Sequence, residues 1–305
     1  MSLRTPLRLL LIAGAASALS LVPAAASAAA APGRYTTIDV PGAADTIAVG
    51  VSDSGVVSGF YTDSSGNAHG FLDRDGRFTT VDVPGAADTF LTVTNDLGVV
   101  VGYYIDSSGN ARGFVDRHGR FTTINAPGAG PASGQGTFVA NMSNLGVIAG
   151  FSIDSGGVQH GFIDRDGRFT TINDPDAGTA SGQGTSVGFI NDFGQVTGSY
   201  TDSTGNTVAF AGPPGRFTTV IDPSAPAFST LTAAINDAGV VVGEYVDASD
   251  LFHGFAELHG VFTPVEDPAG TEGTNVTGIS NLGVIVGFYT DSSGNLHGFE
   301  LSPAR

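Results

Sequence analysis

The side chains of this chain that could do chemistry recur at fixed intervals, and the recurrence limits what that chemistry can be. Asp63, Asp106, Asp154, Asp202, Asp247 and Asp291 each open a short polar turn, as in Asp63-Ser64-Ser65-Gly66-Asn67. Asp, Ser and Asn oxygens at this spacing resemble fragments of a calcium loop. No copy has the D-x-D-x-D-G spacing or a distal bidentate Glu. Asp at the first position of a turn also accepts backbone N–H bonds, and this turn-forming role is the expected one, with calcium kept open as the alternative cofactor. His69, His160, His253 and His297 occupy equivalent positions in four copies. One imidazole per copy spreads the set out instead of converging it on a metal or an acid–base centre, so a hydrogen bond across a hairpin is expected of each. His118 and His259 fall in the last turns of their copies and are expected in solvent.

A ligand or catalytic site is normally asymmetric, so candidates are the residues that break the columns. Gln135 and Gln183 lie in two Ser/Gly-rich insertions, 130–136 and 178–184, carried by two adjacent copies. Asn141, Ser199 and Glu244 replace the residues found in the other copies, and Glu244 is the sharpest case: the other copies place Phe60, Tyr103, Phe151 or Phe288 there. A carboxylate at an aromatic position either reaches water or is buried with a raised pKa. These five residues are the candidate ligand contacts. No catalytic residue is assigned. No G-x-S-x-G elbow lies between a strand and a helix, no H-E-x-x-H occurs, and without lysine there is no G-x-x-x-x-G-K phosphate loop.

The elements that must position these residues are read from internal repetition. Six units tile the chain: 34–76, 77–119, 120–167, 168–215, 216–260 and 261–305. Each holds four short runs rich in β-branched and aromatic residues, separated by Gly, Asn, Asp and Ser turns. In the second unit the expected strands are Phe78–Val83, Thr89–Thr94, Val99–Ile105 and Ala111–Val115. The third run is continuously apolar in most copies (Val99-Val100-Val101, Val240-Val241-Val242), which implies burial on both faces. A sheet stacked between two neighbours satisfies this. The expected fold is therefore all-β: a six-bladed β-propeller of four-stranded antiparallel blades.

The phase of the repeat adds an expectation. The chain begins with a lone strand at Arg34–Val40 and ends without a strand after Leu296–Leu301, so the first strand should complete the last blade and close the ring. Three columns are assigned to the fold: Thr46 and its equivalents at the start of the innermost strand, Gly59 and its equivalents mid-strand, and Phe71 and its equivalents as core. The recurrent His-Gly-Phe at His69, His160, His253 and His297, flanked by N-D-x-G-x-V-x-G-x-Y, resembles the HAF-type family of extracellular repeats, with Gly in place of the middle Ala. Arg112-Gly113-Phe114 and Val208-Ala209-Phe210 depart further. The resemblance implies extracytoplasmic placement and a repeat fold, and it brings no catalytic residue.

The N-terminus agrees with export. Arg4 and Arg8 precede an apolar run to Val22, and Ala26-Ser27-Ala28 offers a cleavage site, so 1–28 reads as a signal peptide and 29–33 as a linker. The apolar part is shorter than the roughly 20 residues of a membrane span. A single soluble domain over 34–305, secreted or periplasmic and monomeric, is expected. The formal net charge of -17 and the absence of lysine leave no basic footprint for nucleic acid. The absence of cysteine excludes thiolate metal centres and cysteine nucleophiles. Two functions remain. One is a non-catalytic binding or scaffolding module for a glycan, peptide or protein. The other is a hydrolase or lyase, carboxylate- or calcium-dependent, drawing on Asp88, Asp176, Glu244 and Glu272 at the mouth of a central channel.

Overall fold

The computed structural model describes residues 33–304. The segment read as a signal peptide, 1–28, and nearly all of the linker lie outside the described residues. Among the described residues every regular element is a strand. β1 spans Gly33–Ile38. The strands that follow fall into groups of four: β2–β5 between Asp45 and Val81, β6–β9 between Asp88 and Ile124, β10–β13 between Gly136 and Ile172, β14–β17 between Gly184 and Thr219, and β18–β21 between Thr230 and Val265. Three more, β22–β24, lie between Thr274 and Pro303.

Within each group consecutive strands pair antiparallel, as β2-β3-β4-β5 does. The last group has only three strands of its own and takes β1 as its fourth. β1 pairs antiparallel with β24 (Leu296–Pro303) in a register running from Gly33 opposite Pro303 to Ile38 opposite Gly298. Three of the units join into one twelve-stranded sheet through single parallel bridges, Gly136 to Ala111 and Gln159 to Gly184. The other units remain separate four-stranded sheets.

The three repeated columns have distinct physical tasks. Phe71, Phe114, Phe162, Phe210, Phe255 and Phe299 are buried, the least so at 3% exposure. Burial of a phenylalanine contributes about 1.5–3 kcal/mol, so this column alone is a large part of the core. The threonine column clips one unit to the next. Thr46 Oγ1 accepts the Val40 N–H at 3.1 Å, Thr137 Oγ1 that of Ala126 at 2.9 Å, and Thr274 Oγ1 that of Asp267 at 3.1 Å. Thr89, Thr185 and Thr230 do the same. Each accepts a donor from the loop that leaves the preceding outer strand, where an unpaired buried N–H would be costly.

The glycine column sits opposite a β-bulge. In β2 (Asp45–Val51) the register slips between Ala48 and Gly50, leaving Val49 unpaired against β3 (Val57–Thr62), while Gly59 faces Ala48. A Cβ built on Gly59 would run into the Ile47 carbonyl oxygen, and the same clash recurs at Gly102, Gly150, Gly198, Gly243 and Gly287. Glycine is therefore required by the close approach of the bulged neighbour.

Candidate functional site

The bulge recurs in every innermost strand, and the extra residues it ejects are Val49, Thr92, Ala140, Gly188, Ala233 and Thr277. All six line one cavity, open to solvent, with about 1230 Å3 of empty space. A bulge re-aims the residue it inserts. Repeated in each unit, it brings six different stretches of chain to a common wall.

Above these small residues lies a belt made by cross-strand pairs. The pairs are Ile47–Phe60, Phe90–Tyr103, Phe138–Phe151, Ser186–Ser199, Leu231–Glu244 and Asn275–Phe288. Consecutive rings touch from unit to unit: Phe60 to Phe90 at 4.9 Å edge-on, Phe90 to Tyr103 at 4.8 Å stacked, Tyr103 to Phe138 at 5.1 Å and Phe138 to Phe151 at 4.9 Å. The belt then loses its rings at Ser186, Ser199, Glu244 and Asn275 and regains them at Phe288. Its two arcs are thus chemically unlike, one aromatic and one polar.

Glu244 is the focus of the polar arc. It lines the cavity, is 7% exposed, and accepts no hydrogen bond among the described residues. Burial pushes its carboxyl up from 4.5 to about 8, because the charged form has lost water and gained no cation. The threonines of the wall are already committed: Thr277 donates to the Ala48 carbonyl at 2.8 Å and Thr232 to that of Gly198 at 2.8 Å. Asn275 is 3% exposed, and its Oδ1 is buried without a partner among the described residues. Sequence reasoning did not single out Asn275 or Ser186. The signal was present, since both break a column that otherwise holds Ile47, Phe90, Phe138 and Leu231.

The other candidates lie elsewhere. Asn141 lines a second, smaller cavity of about 390 Å3 formed by the N-D-x-G turns at the far ends of the innermost strands. Its Oδ1 accepts the Ile190 N–H at 3.2 Å, and its Nδ2 is buried without a partner among the described residues. Successive turns there bond to one another: Asp192 N–H to Asp237 Oδ1 at 2.9 Å, Asp237 N–H to Asn281 Oδ1 at 2.8 Å, and Asn281 N–H to Asp53 Oδ1 at 2.6 Å. Gln135 and Gln183 brace their own loops, each accepting a backbone N–H three residues back, from Ala132 at 3.1 Å and Ala180 at 3.0 Å. Those loops lie on the Asp-Ser-type turn of the preceding unit, with Gly134 N–H donating to the Gly109 carbonyl and Gly182 N–H to that of Gly157. Of the five candidates, the large cavity brings together Ser199 and Glu244.

The repeated acids and histidines form a separate outer ring of contacts. Asp63 Oδ1 accepts the Ser65 and Asn67 N–H groups at 2.8 and 2.9 Å, and these donors hold its carboxyl down at about 2. His69 stacks on Tyr61 at 5.3 Å and sits between Asp63 and Asp82. His253 is held in the same way by Asp247 and Glu266, and His297 by Asp291 and Asp39. The hydrogen bond expected across the hairpin is present, with a second one to the outer strand. Among the described residues no cluster of three or more His, Cys, Asp or Glu side chains is arranged to hold a metal. The four acids of the hydrolase alternative also stay apart. Asp88 accepts the Ala68 N–H at 2.9 Å, Asp176 and Glu272 are exposed in loops, and Glu244 alone lines the large cavity.

No family model matches the chain, and no curated protein matches its sequence. Solved structures do resemble its fold. A lectin of Aleuria aurantia, solved with α-methyl-L-fucoside, is 12% identical with a TM-score of 0.51, over 88% of this chain and 97% of the lectin. SapL1 lectin, also in complex with α-methyl fucoside, is 11% identical with a TM-score of 0.51, over 86% and 96%. AofleA from Arthrobotrys oligospora is 10% identical with a TM-score of 0.50, over 89% and 84%. The Aleuria lectin is described as having a six-bladed β-propeller fold.

Proposed function

We propose that this chain is an exported, non-catalytic binding protein of the HAF-type repeat class, a closed six-bladed β-propeller that holds a carbohydrate in its large cavity. Closure is supported by the pairing of β1 with β24 and by bonds between the first and last units, such as Thr277 to Ala48 and Asn281 to Asp53. It is supported again by the contribution of all six units to one cavity wall.

The observation that carries the binding reading is the part of the split belt that lines the cavity, Phe60, Phe151 and Phe288 together with Ser186, Ser199 and Glu244. Phenylalanine rings and a few hydroxyl and carboxyl groups on one wall suit a ring with an apolar C–H face and hydroxyl edges, and ligand pockets commonly combine apolar walls with a few placed polar groups. The fold neighbours favour the carbohydrate class, because they are lectins solved with fucosides. A carboxylate-dependent glycoside hydrolase would need a second carboxyl group within reach of the first, and among the described residues Glu244 is the one carboxyl group on the cavity wall. The reading needs no metal, since the carboxylates of the turns are engaged by N–H donors.

The test is ligand-observed NMR of the mature chain against a panel of mono- and disaccharides, with Ser199→Phe as the control that extends the aromatic belt into the polar arc. Saturation transfer to a sugar that disappears in the variant is expected. Transfer that persists unchanged in the variant moves the site elsewhere and overturns the assignment of this cavity.

A further inference from the structure

Among the described residues the polar arc holds two strong acceptors without a donor. Glu244 has no hydrogen-bond donor, and Asn275 Oδ1 has none either. The two hold equivalent positions to Phe60 and Phe90, which touch at 4.9 Å, so the repeat places them side by side. Among the described residues no arginine, lysine or histidine lines the cavity to neutralise the carboxyl.

The surroundings bias the site further toward cations. The turns on the side where the innermost strands begin carry carboxylates such as Asp63, Asp202 and Asp291, each held ionised to about pH 2 by local donors. An excess of carboxylate on the surface raises the local concentration of cations. Inside, Phe60, Phe151 and Phe288 face the same space, and phenylalanine rings attract desolvated cations through their π faces. An ammonium group supplies three N–H donors and one positive charge, which is the complement of a lone carboxylate. Two further polar groups of the wall, Ser186 and Ser199, make no hydrogen bond through their hydroxyls among the described residues and can serve a hydroxylated ring.

We infer that the cavity selects a carbohydrate bearing a free amino group, with the ammonium held at Glu244 and the sugar ring against Phe60, Phe151 and Phe288. The inference rests on the carbohydrate-binding reading above and specifies its ligand. Glu244 is raised only while the site holds no cation. Occupancy by an ammonium favours the carboxylate, so binding an amine that is already protonated releases a proton from Glu244 near neutral pH.

Isothermal titration of the mature chain at pH 7 with glucosamine, N-acetylglucosamine, glucose and ethanolamine tests it, alongside Glu244→Gln. Glucosamine is expected to bind at least about tenfold more tightly than either neutral sugar, the increment of one modest charged contact. Its measured heat should vary with the ionisation enthalpy of the buffer, reporting the released proton. Glu244→Gln should abolish both the preference and the buffer dependence while the thermal transition stays cooperative. Neutral sugars that bind as tightly as glucosamine, or an unchanged preference in Glu244→Gln, overturn the amino selectivity and leave the carbohydrate reading standing. Ethanolamine binding as tightly as glucosamine, with no sugar preferred, overturns the carbohydrate reading.

Discussion

Replacing Glu244 by Gln should stabilise the fold, and the size of the gain should depend on pH in a way that only a buried carboxyl produces. The folded-state value is raised from 4.5 to about 8, so between those limits the unfolded chain releases a proton that the folded chain retains. An acid with a raised folded value therefore destabilises increasingly as pH climbs through this window, and the penalty vanishes below it and levels off above it. At about 1.36 kcal/mol per pH unit, the roughly 2.5 units between 4.5 and pH 7 amount to about 3 kcal/mol. The cavity is open to solvent, and water near the carboxyl reduces this, so about 1–3 kcal/mol is expected at pH 7. Gln keeps the shape and removes the titration. Urea denaturation of both proteins at pH 4.5, 6, 7 and 8 measures the difference directly. The two should agree within a few tenths of a kcal/mol at pH 4.5 and diverge steadily above it. A difference that is the same at all four pH values would mean that Glu244 does not titrate in the folded state, and the reasoning about its burial would be refuted.

Other consequences follow from the repeated columns. Gly102→Ala drives a Cβ into the Phe90 carbonyl and should destabilise by about 2 kcal/mol or more, read as a lowered urea midpoint; a neutral effect would show that the bulge relaxes freely. Thr137→Val removes the acceptor of the buried Ala126 N–H and should lower stability by about 1–3 kcal/mol, with amide exchange at Ala126 accelerated. His297 bridges Asp39, next to β1, and Asp291; burial works against its charge, but the two carboxylates outweigh it and raise its pKa. That contribution is fully present below the ordinary imidazole value and is lost as pH rises through the raised one, so His297→Ala should reduce exchange protection of β1 by less than about 1 kcal/mol at pH 6 and by nothing at pH 9. A chelator should leave the melting temperature unchanged, because the turn carboxylates are already engaged by N–H donors; a shift of several degrees would instead reveal a bound cation.

Much of the architecture was legible in the sequence because it depends on local chemistry. Short β-branched and aromatic runs and Gly, Asn and Asp turns define strands without reference to distant residues. Val99–Ile105 is found as read, and Thr89–Thr94 differs by one residue at its start. The spare first strand had one unpaired edge to complete, and it pairs there. The column-breaking status of Glu244 and Ser199 was likewise visible, since aligning a chain against its own repeats needs no structure.

What only the tertiary structure decided is which column breaks meet. The register slip of each innermost strand turns Val49, Thr92, Ala140, Gly188, Ala233 and Thr277 onto a common wall. A bulge is a mismatch between two strands, and neither strand alone encodes it. The packing of the units sets Ser199 and Glu244 on one cavity and separates both from Asn141, which differs from its column just as plainly but lies at the opposite end of the strands. Gln135 and Gln183 looked like walls of a pocket and instead brace loops that join neighbouring units. The charge of Glu244 is the clearest case. The sequence offers water or burial as alternatives, and the choice is made by neighbours contributed from other repeats, which withhold most of the solvent and supply no cation among the described residues.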